Sequence, residues 1–260
     1  MLPTFFISHG SPMMALMDTQ ARRFLESLAT HTPRPRAIVI ASAHWETPGP
    51  MVSAPARNDT IHDFYGFPPA LYALRYPAPG DAALAGEIAR MLADAGLACG
   101  IDQTRGLDHG AWVPLLLAYP KADIPVLQLS LQRRGGPAHH LALGAALRGL
   151  RDSGVLVIGS GSFTHDIARA KSGMAAVDAP EPADITEFSD WMDHAIRTAD
   201  VTALLEYRRL APYAATHHPT EEHLLPLFVA MGAAAKKPTA VRLHSSTEFS
   251  FFRMDCYAFS

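Results

Sequence analysis

Four short runs of β-branched and apolar residues are the feature of this chain that most limits how it can fold. Their length and composition predict buried strands, at residues 3–8, 37–42, 125–130 and 155–160. Longer amphipathic patterns predict helices at residues 81–95, 137–151 and 184–199. Strands that alternate with helices favour an α/β fold, with a central mixed, mostly parallel β-sheet flanked by helices.

The remaining parts of the chain fit the same architecture. No internal repeat, low-complexity tract or linker divides the sequence, so we predict a single domain over residues 1–260. Residues 49–79 are rich in proline and contain an aromatic stretch, which predicts an ordered functional loop. Residues 248–254 have the composition of a closing strand, and an antiparallel edge is expected there.

Charge and composition narrow the classes of partner. The formal net charge is −3 and no dense run of lysine or arginine occurs, so neither nucleic acid nor an anionic membrane is an expected partner. No signal-peptide pattern or bilayer-spanning stretch is found, which predicts a cytoplasmic location. Cys99 and Cys256 form no metal-ligand or disulfide pattern. A small molecule is therefore the expected ligand.

Histidine is the unusual residue, with 13 copies against 22 lysines plus arginines. His9 and His44 follow the first and second predicted strands, and His165 follows the fourth after the small residues 159–162, which are expected to let a substrate approach the backbone. Ligand sites in open α/β sheets gather beyond the carboxyl ends of strands. Because imidazole is the commonest transition-metal ligand, convergence predicts a metal pocket. Each ring alone could instead bond a backbone carbonyl.

Two further histidines are candidates for the same pocket. His109 follows Asp108 just before an apolar helical segment at 113–118, where Asp108 could cap the helix or assist chemistry. Thr220 is a predicted helix N-cap that would place His223 in the first helical turn. The positive end of the helix dipole disfavours imidazolium there and leaves the neutral ring that a metal requires.

The other histidines have no comparable motif. Most members of a first set are expected at the surface: His31, His139, His140, His194 and His244. A second set is expected either to line the pocket or to hydrogen-bond within loops: His62, His217 and His218.

Eight motifs occur in a specific order along the chain: SHGSPM, SAHWE, TIHDFYGFP, YPAPG, GLDHGAW, PVLQLSL, GSFTHDI and PTEEHLLPL. Together they resemble the DOPA extradiol dioxygenase branch of the class III extradiol ring-cleavage superfamily, which also contains protocatechuate ring-opening enzymes. The matches run from about His9 to Pro226, nearly the whole chain. The resemblance implies an extradiol dioxygenase-like catalytic domain.

The resemblance also implies a role for each histidine of these motifs. The metal-ligand positions are occupied by His9, His44 and His223. His165 matches an active-site acid–base, alternatively counted as a fourth ligand, and His109 matches an outer or substrate-contacting residue. The protocatechuate branch has a glutamate at the third ligand position, so His223 makes this an all-imidazole set.

The implied reaction is opening of a catechol ring by O2 at a mononuclear non-haem centre. Fe(II) is the implied cofactor because it can relay electrons from catecholate to oxygen, whereas Zn(II) fits the all-histidine set but has no redox chemistry. His165 is suited to accept and return a proton, since the ordinary pKa of imidazole is near neutrality. Trp45, Phe64 and Tyr65 are expected to form the aromatic walls around the substrate.

Two other functions would use the same residues. A zinc hydrolase would activate water at the three histidines, with His165 as the base. A non-catalytic metal-binding protein would keep the pocket without turnover. Arg75, Arg105 and Arg169 are candidate contacts for an anionic substituent, with a solvated surface role as the alternative.

Overall fold

The structure, a computed structural model, describes residues 1–173 and 175–260. Its strands are β1 Thr4–Ser8, β2 Ala37–Glu46, β3 Met51–Ser53, β4 Gly100–Asp102, β5 Val126–Leu131, β6 Val155–Gly161, β7 Ala240–His244, β8 Thr247–Glu248, β9 Phe252–Arg253 and β10 Cys256–Phe259. Eight of them form one sheet in the order β4-β3-β5-β2-β6-β1-β10-β7. The central strands β5, β2, β6 and β1 are parallel, and antiparallel pairs flank them on both sides. The predicted mixed, mostly parallel sheet is confirmed.

The helices surround this sheet. Within the described residues they are α1 Gln20–Ser27, α2 Pro69–Ala73, α3 Ala82–Asp94, α4 His109–Ala118, α5 Gly136–Ala146, α6 Ile167–Ser172, α7 Ala183–Arg197, α8 Val201–Leu205, α9 Tyr207–Leu210, α10 Ala214–His217 and α11 Leu225–Ala233. The three predicted helices correspond to α3, α5 and α7. The Asp81 carboxylate accepts a hydrogen bond from the Leu84 N–H and caps α3. α5 ends before residue 151, because Arg148–Arg151 form a separate 3-10 turn.

Both faces of the sheet are buried. Ile38 and Ile40 of β2 point to the face covered by α1 and α4, whereas Val39 and Ala41 point to the face covered by α3, α5 and α11. Burial on both faces explains why the central strands are continuous apolar runs in the sequence. It also leaves the ends of the strands as the places where polar side chains can gather.

The C-terminal segment differs from the prediction. Residues 248–254 do not form one closing strand, because Phe249 and Ser250 adopt positive φ angles of 54° and 62° in a turn between β8 and β9. Such left-handed backbone interrupts a strand. The main sheet is closed by β10, antiparallel to β1, and β7 takes the outer edge. The antiparallel edge was predicted correctly, but its position was wrong.

The proline-rich segment 49–79 is ordered by hydrogen bonds. It contains β3 and α2, and the Asn58 side-chain amide donates to the carbonyls of Ala78 and Val126. These bonds attach the segment to the start of β5, in agreement with the predicted ordered loop. Within the described ranges, none of the helices combines the length and apolar character that crossing a bilayer requires.

Candidate active site and metal centre

A histidine cluster lies at the carboxyl-terminal edge of the central strands. His9 follows β1, His44 lies near the end of β2, and His223 lies just before α11. One nitrogen from each of these three rings lies within 4.8 Å of the others. They line a cavity of about 470 Å³, together with His109 and His165. The structure therefore brings together the five histidines that the sequence predicted to share a pocket.

Two glycines of β6 allow His223 to reach the sheet edge. A Cβ on Gly161 would lie 2.1 Å from the His223 carbonyl oxygen, and one on Gly159 would lie 2.0 Å from the Pro226 carbonyl oxygen. The Ser162 N–H also donates to the His223 carbonyl. Gly159 and Gly161 thus leave room for the backbone of residues 223–226, whereas the sequence predicts that these small residues leave room for a substrate.

The helix that follows His223 starts later than predicted. It is α11, which begins at Leu225, and Thr220 does not cap it because the Thr220 hydroxyl donates to Glu222 Oε1 at 2.9 Å. His223 therefore lies in a turn before the helix, and the dipole argument does not apply to it. Burial is the main reason why the pKa of His223 lies well below its ordinary value, and the nearby His165 and His44 imidazoles lower it further.

Ser160 determines which nitrogen of His9 faces the cavity. The Ser160 hydroxyl donates its proton to the Gly110 carbonyl, so its oxygen accepts from His9 Nδ1, 3.0 Å away. His9 Nε2 then keeps its lone pair and faces His44 Nε2 at 3.1 Å. A Cβ on Gly110 would lie 3.0 Å from the His44 ring and 3.1 Å from the His9 ring. Glycine at this position leaves room for the two rings to meet.

Asp63, which the sequence analysis did not single out, links two of the histidines. Its Oδ1 accepts from the backbone N–H and from Nδ1 of His109, both at 2.9 Å, and its Oδ2 lies 3.6 Å from His44 Nδ1. Burial opposes ionisation of Asp63, but the side-chain and backbone hydrogen bonds from His109 outweigh it and lower its pKa to about 2. Asp63 is therefore a carboxylate at neutral pH. The motif TIHDFYGFP, which contains it, was the signal available in the sequence.

Glu222 is a second carboxylate that the sequence analysis did not single out. Its Oε1 accepts from His223 Nδ1 at 3.2 Å, and its Oε2 lies 3.4 Å from Arg133 Nε. The side chain is buried. His223 Nε2 is consequently the nitrogen left for the cavity. Glu222 directly precedes His223 in the motif PTEEHLLPL, but the contact depends on the backbone turn between them.

The three clustered rings fit a mononuclear metal ion. Burial lowers the pKa of His44 to about 3 and that of His9 well below its ordinary value, and neighbouring imidazoles add to both effects. Neutral imidazole is the form that donates a lone pair to a metal. Nitrogen ligands about 2.0–2.1 Å from one ion lie about 3 Å apart in adjacent positions. The 3.1 Å between Nε2 of His9 and Nε2 of His44 matches that spacing.

His165 lies against the cluster from the side of the cavity. Its ring stacks on His223 with centroids 3.5 Å apart and planes 13° apart. Burial lowers the pKa of His165 to about 4, although Glu222 partly offsets the effect. His165 is thus a neutral ring beside the cluster. Apolar side chains complete the cavity wall: Pro12, Met13, Met17, Phe64, Phe67, Ala170, Phe249, Phe251 and Phe252.

Phe64 is the one member of the predicted aromatic wall that lines the cavity. Trp45 follows His44 in β2, and adjacent residues of a strand point to opposite faces. The Trp45 ring is buried away from the cavity, with the Arg105 guanidinium 5.3 Å from its centroid. Tyr65 is 92% exposed. The structure therefore does not place Trp45 or Tyr65 where they would contact a bound substrate.

The candidate anion contacts also lie outside the cavity lining. Arg105 and Arg169 pair with the carboxylates of Asp108 and Asp184, and Arg75 donates to backbone carbonyls. Asp108 caps α4 by accepting from the Ala111 N–H, which is the structural alternative considered for it. Among the described residues, none of the lysines or arginines lines the cavity.

Three histidines outside the cavity are buried. His140 was expected at the surface, but its Nδ1 donates to the Gly136 carbonyl and its Nε2 accepts from the Gln132 N–H, at 2.7 Å and 3.1 Å. His217 and His218 donate to backbone carbonyls, as the loop alternative predicted. The four remaining members of the surface set are exposed or half-buried: His31, His139, His194 and His244.

Several known proteins are similar to this chain in sequence, and one solved structure is similar to it in fold. Residues 3–252 match the family described as the catalytic LigB subunit of aromatic ring-opening dioxygenase. The chain is 45% identical to a 4,5-DOPA dioxygenase extradiol of Beta vulgaris, over 99% of this chain and 96% of that protein. A 4,5-DOPA dioxygenase extradiol of Escherichia coli K12 is 38% identical over 89% of this chain and 85% of its own length. The crystal structure of an uncharacterized Escherichia coli K12 protein superposes with a TM-score of 0.81 at 30% identity, covering 100% of both chains. The chain therefore belongs to the LigB family of aromatic ring-opening dioxygenases.

Proposed function

We propose that the protein is an extradiol dioxygenase that opens the ring of a catechol-type, DOPA-like substrate with O2. The observation that supports this most strongly is the convergence of three neutral imidazoles in an apolar, aromatic-walled cavity that two further histidines line. The names of the Beta vulgaris and Escherichia coli relatives support a DOPA-like substrate.

In this proposal His9, His44 and His223 hold the metal through Nε2. Each ring has its Nδ1 directed at an oxygen, of Ser160, Asp63 and Glu222 respectively, which leaves the other nitrogen for the ion. Fe(II) at this site supplies the redox chemistry by which a catechol and O2 react. Because the ligand set is all imidazole, Zn(II) is also expected to bind, without supporting that reaction.

His165 serves as the acid–base group for the substrate. Its neutral ring lines the cavity next to His223, so it is positioned to accept a proton from a catechol hydroxyl and to return one later. His109 also lines the cavity, and its ring centroid lies 3.9 Å from that of His44. Its Nε2 is available to hydrogen-bond the bound substrate or oxygen.

The aromatic residues of the cavity bind the substrate ring. Phe64 and Phe67 come from the loop before α2, and Phe251 and Phe252 come from the β8–β9 turn and β9. Their faces and edges suit an aromatic guest and displace water from the histidines. The charged groups of a DOPA-like substituent are expected to extend towards the open side of the cavity.

Metal analysis combined with oxygen uptake tests the proposal. Protein loaded anaerobically with Fe(II) is expected to hold one ion per chain, to consume O2 with catechols and to form yellow ring-opened products. The zinc-loaded protein is the matched control and should not consume O2. Absence of O2 uptake by the iron-loaded protein across a panel of catechols, DOPA included, would contradict the proposal.

A further inference from the structure

A single carboxylate, Asp63, contacts two of the cavity histidines at once. Its Oδ1 receives two hydrogen bonds from His109, one from the backbone N–H and one from Nδ1. Its Oδ2 lies 3.6 Å from Nδ1 of His44, longer than a hydrogen bond but close enough for a favourable electrostatic contact. His44, Asp63 and His109 each offer an atom within 4.8 Å of the others.

We propose that Asp63 is a positioning residue of the active site, which holds His109 and His44 as Nδ1–H tautomers so that both Nε2 lone pairs face the cavity. This inference rests on the proposed ring-opening function. In it, His44 needs the Nε2 lone pair to bind the metal, and His109 needs it to accept a hydrogen bond from the substrate or from reduced oxygen.

The chemistry of the carboxylate gives the reason. An ionised carboxylate is an acceptor only, so any imidazole nitrogen directed at it must carry a proton. A neutral imidazole has one N–H, and placing it on Nδ1 leaves Nε2 as the acceptor. In Asp63→Asn the side-chain oxygen must stay on the His109 backbone N–H, which needs an acceptor, so the NH2 group would face the His44 ring. That ring would then turn a lone pair to the amide and lose the lone pair at Nε2.

Asp63 also has a local structural role. His109 is the first residue of α4, so its backbone N–H has no partner within the helix. Asp63 satisfies that N–H and thereby joins the loop carrying Phe64 and Phe67 to the start of α4. A test must therefore separate tautomer control from simple anchoring of the loop.

The test compares Asp63→Asn with Asp59→Asn. Asp59 lies in the same loop and is exposed, so its variant controls for the loss of one negative charge nearby. Asp63→Glu is the rescue variant, because it retains an acceptor-only group. Melting temperature and circular dichroism establish that each variant is folded.

Two measurements do not depend on turnover. Side-chain 15N NMR of histidine-labelled, metal-free protein should show the Nδ1–H tautomer for His44 and His109 in the natural protein and in Asp63→Glu, and its loss at His44 in Asp63→Asn. Chelator competition should show that Asp63→Asn binds Zn(II) roughly 10- to 100-fold more weakly, the usual effect of losing a carboxylate that orients a ligand. With iron, kcat should fall at least about tenfold with a smaller change in KM.

An unchanged His44 tautomer in metal-free Asp63→Asn, together with zinc affinity within twofold of the natural protein, would overturn the inference, whatever happens to activity. Equal losses in Asp63→Asn and Asp59→Asn would also overturn it, because they would assign the effect to charge alone. If Asp63→Asn does not fold, the tautomer of His44 in Asp63→Glu decides the question, and loss of the Nδ1–H form there would overturn the inference. If the iron-loaded natural protein consumes no O2, the proposed function fails. The tautomer and zinc-affinity measurements still test whether Asp63 positions the two histidines.

Discussion

His9 in the cavity and His140 outside it are both buried, yet they use their ring nitrogens differently. Burial lowers the pKa of His140 to about 4, much as it lowers that of His165. Both nitrogens of His140 bond the backbone around the start of α5. His9, by contrast, gives one nitrogen to Ser160 and keeps the other facing His44. A lowered pKa therefore indicates burial, whereas a nitrogen left for neighbouring rings indicates a ligand.

The largest expected effect separates these two kinds of histidine. His223→Ala should remove one of three metal ligands and reduce bound metal from about one ion per chain to a small fraction, with turnover lost by at least about 10³-fold. His140→Gln should retain the metal, because neither nitrogen of His140 faces the cavity. Elemental analysis after dialysis measures both. Full metal content in His223→Ala would contradict the assignment of His223 as a metal ligand.

The next effect concerns His165, which lines the cavity but is proposed as a base. His165→Ala should lower kcat by roughly 10²–10⁴-fold, the usual contribution of a general acid–base, with metal content unchanged. Steady-state oxygen uptake and metal analysis on the same sample check this. Loss of the metal along with activity would instead assign His165 as a fourth ligand.

A stability difference is expected between two glycines. Gly161→Ala would place a Cβ 2.1 Å from the His223 carbonyl, and should lower the free energy of unfolding by about 3 kcal/mol, as for severe overpacking. Gly86→Ala in α3 meets no atom within 4 Å and should raise it by roughly 0.5–1 kcal/mol. Urea unfolding compares them. Equal stability of the two variants would contradict the close packing of residues 223–226 on β6.

The last effect is the pH dependence contributed by His140. Its pKa in the folded protein, about 4, lies below the ordinary value of 6.5, so the unfolded chain binds more protons between these values. The stability it contributes is therefore present above pH 6.5 and is lost as pH falls towards 4, by up to about 1.4 kcal/mol per pH unit. The unfolding free energies of the natural protein and of His140→Gln should converge over that range. Parallel curves would contradict the prediction.

Local rules predicted the central strands and three of the cavity histidines, His9, His44 and His165, whereas His109 and His223 were predicted from their motifs. Buried parallel strands require apolar runs, and side chains placed just after such strands share one edge of the sheet. The start of α11 was mispredicted because threonine is a common N-cap residue, but the Thr220 hydroxyl hydrogen-bonds the Glu222 side chain instead. Local composition does not reveal which of two nearby partners a hydroxyl will choose.

The contacts around the histidines were not predictable, because they join distant parts of the chain. Ser160 reaches His9 across 151 positions, and Asp63 reaches His109 across 46. Sequence spacing does not define such pairs without the fold. Trp45 is a different case, since the alternation of side chains along β2 already implies that it and His44 point in opposite directions.

We propose that His9, His44 and His223 hold one metal ion through Nε2. A crystal structure of the Fe(II)-loaded protein, with anomalous data collected at the iron absorption edge, tests it most directly. A single anomalous peak is expected at about 2.1 Å from the Nε2 atoms of these three residues, near the nitrogen–metal distances usual in proteins. A peak bound by other residues, or iron-loaded crystals without a peak at this edge of the sheet, would contradict it.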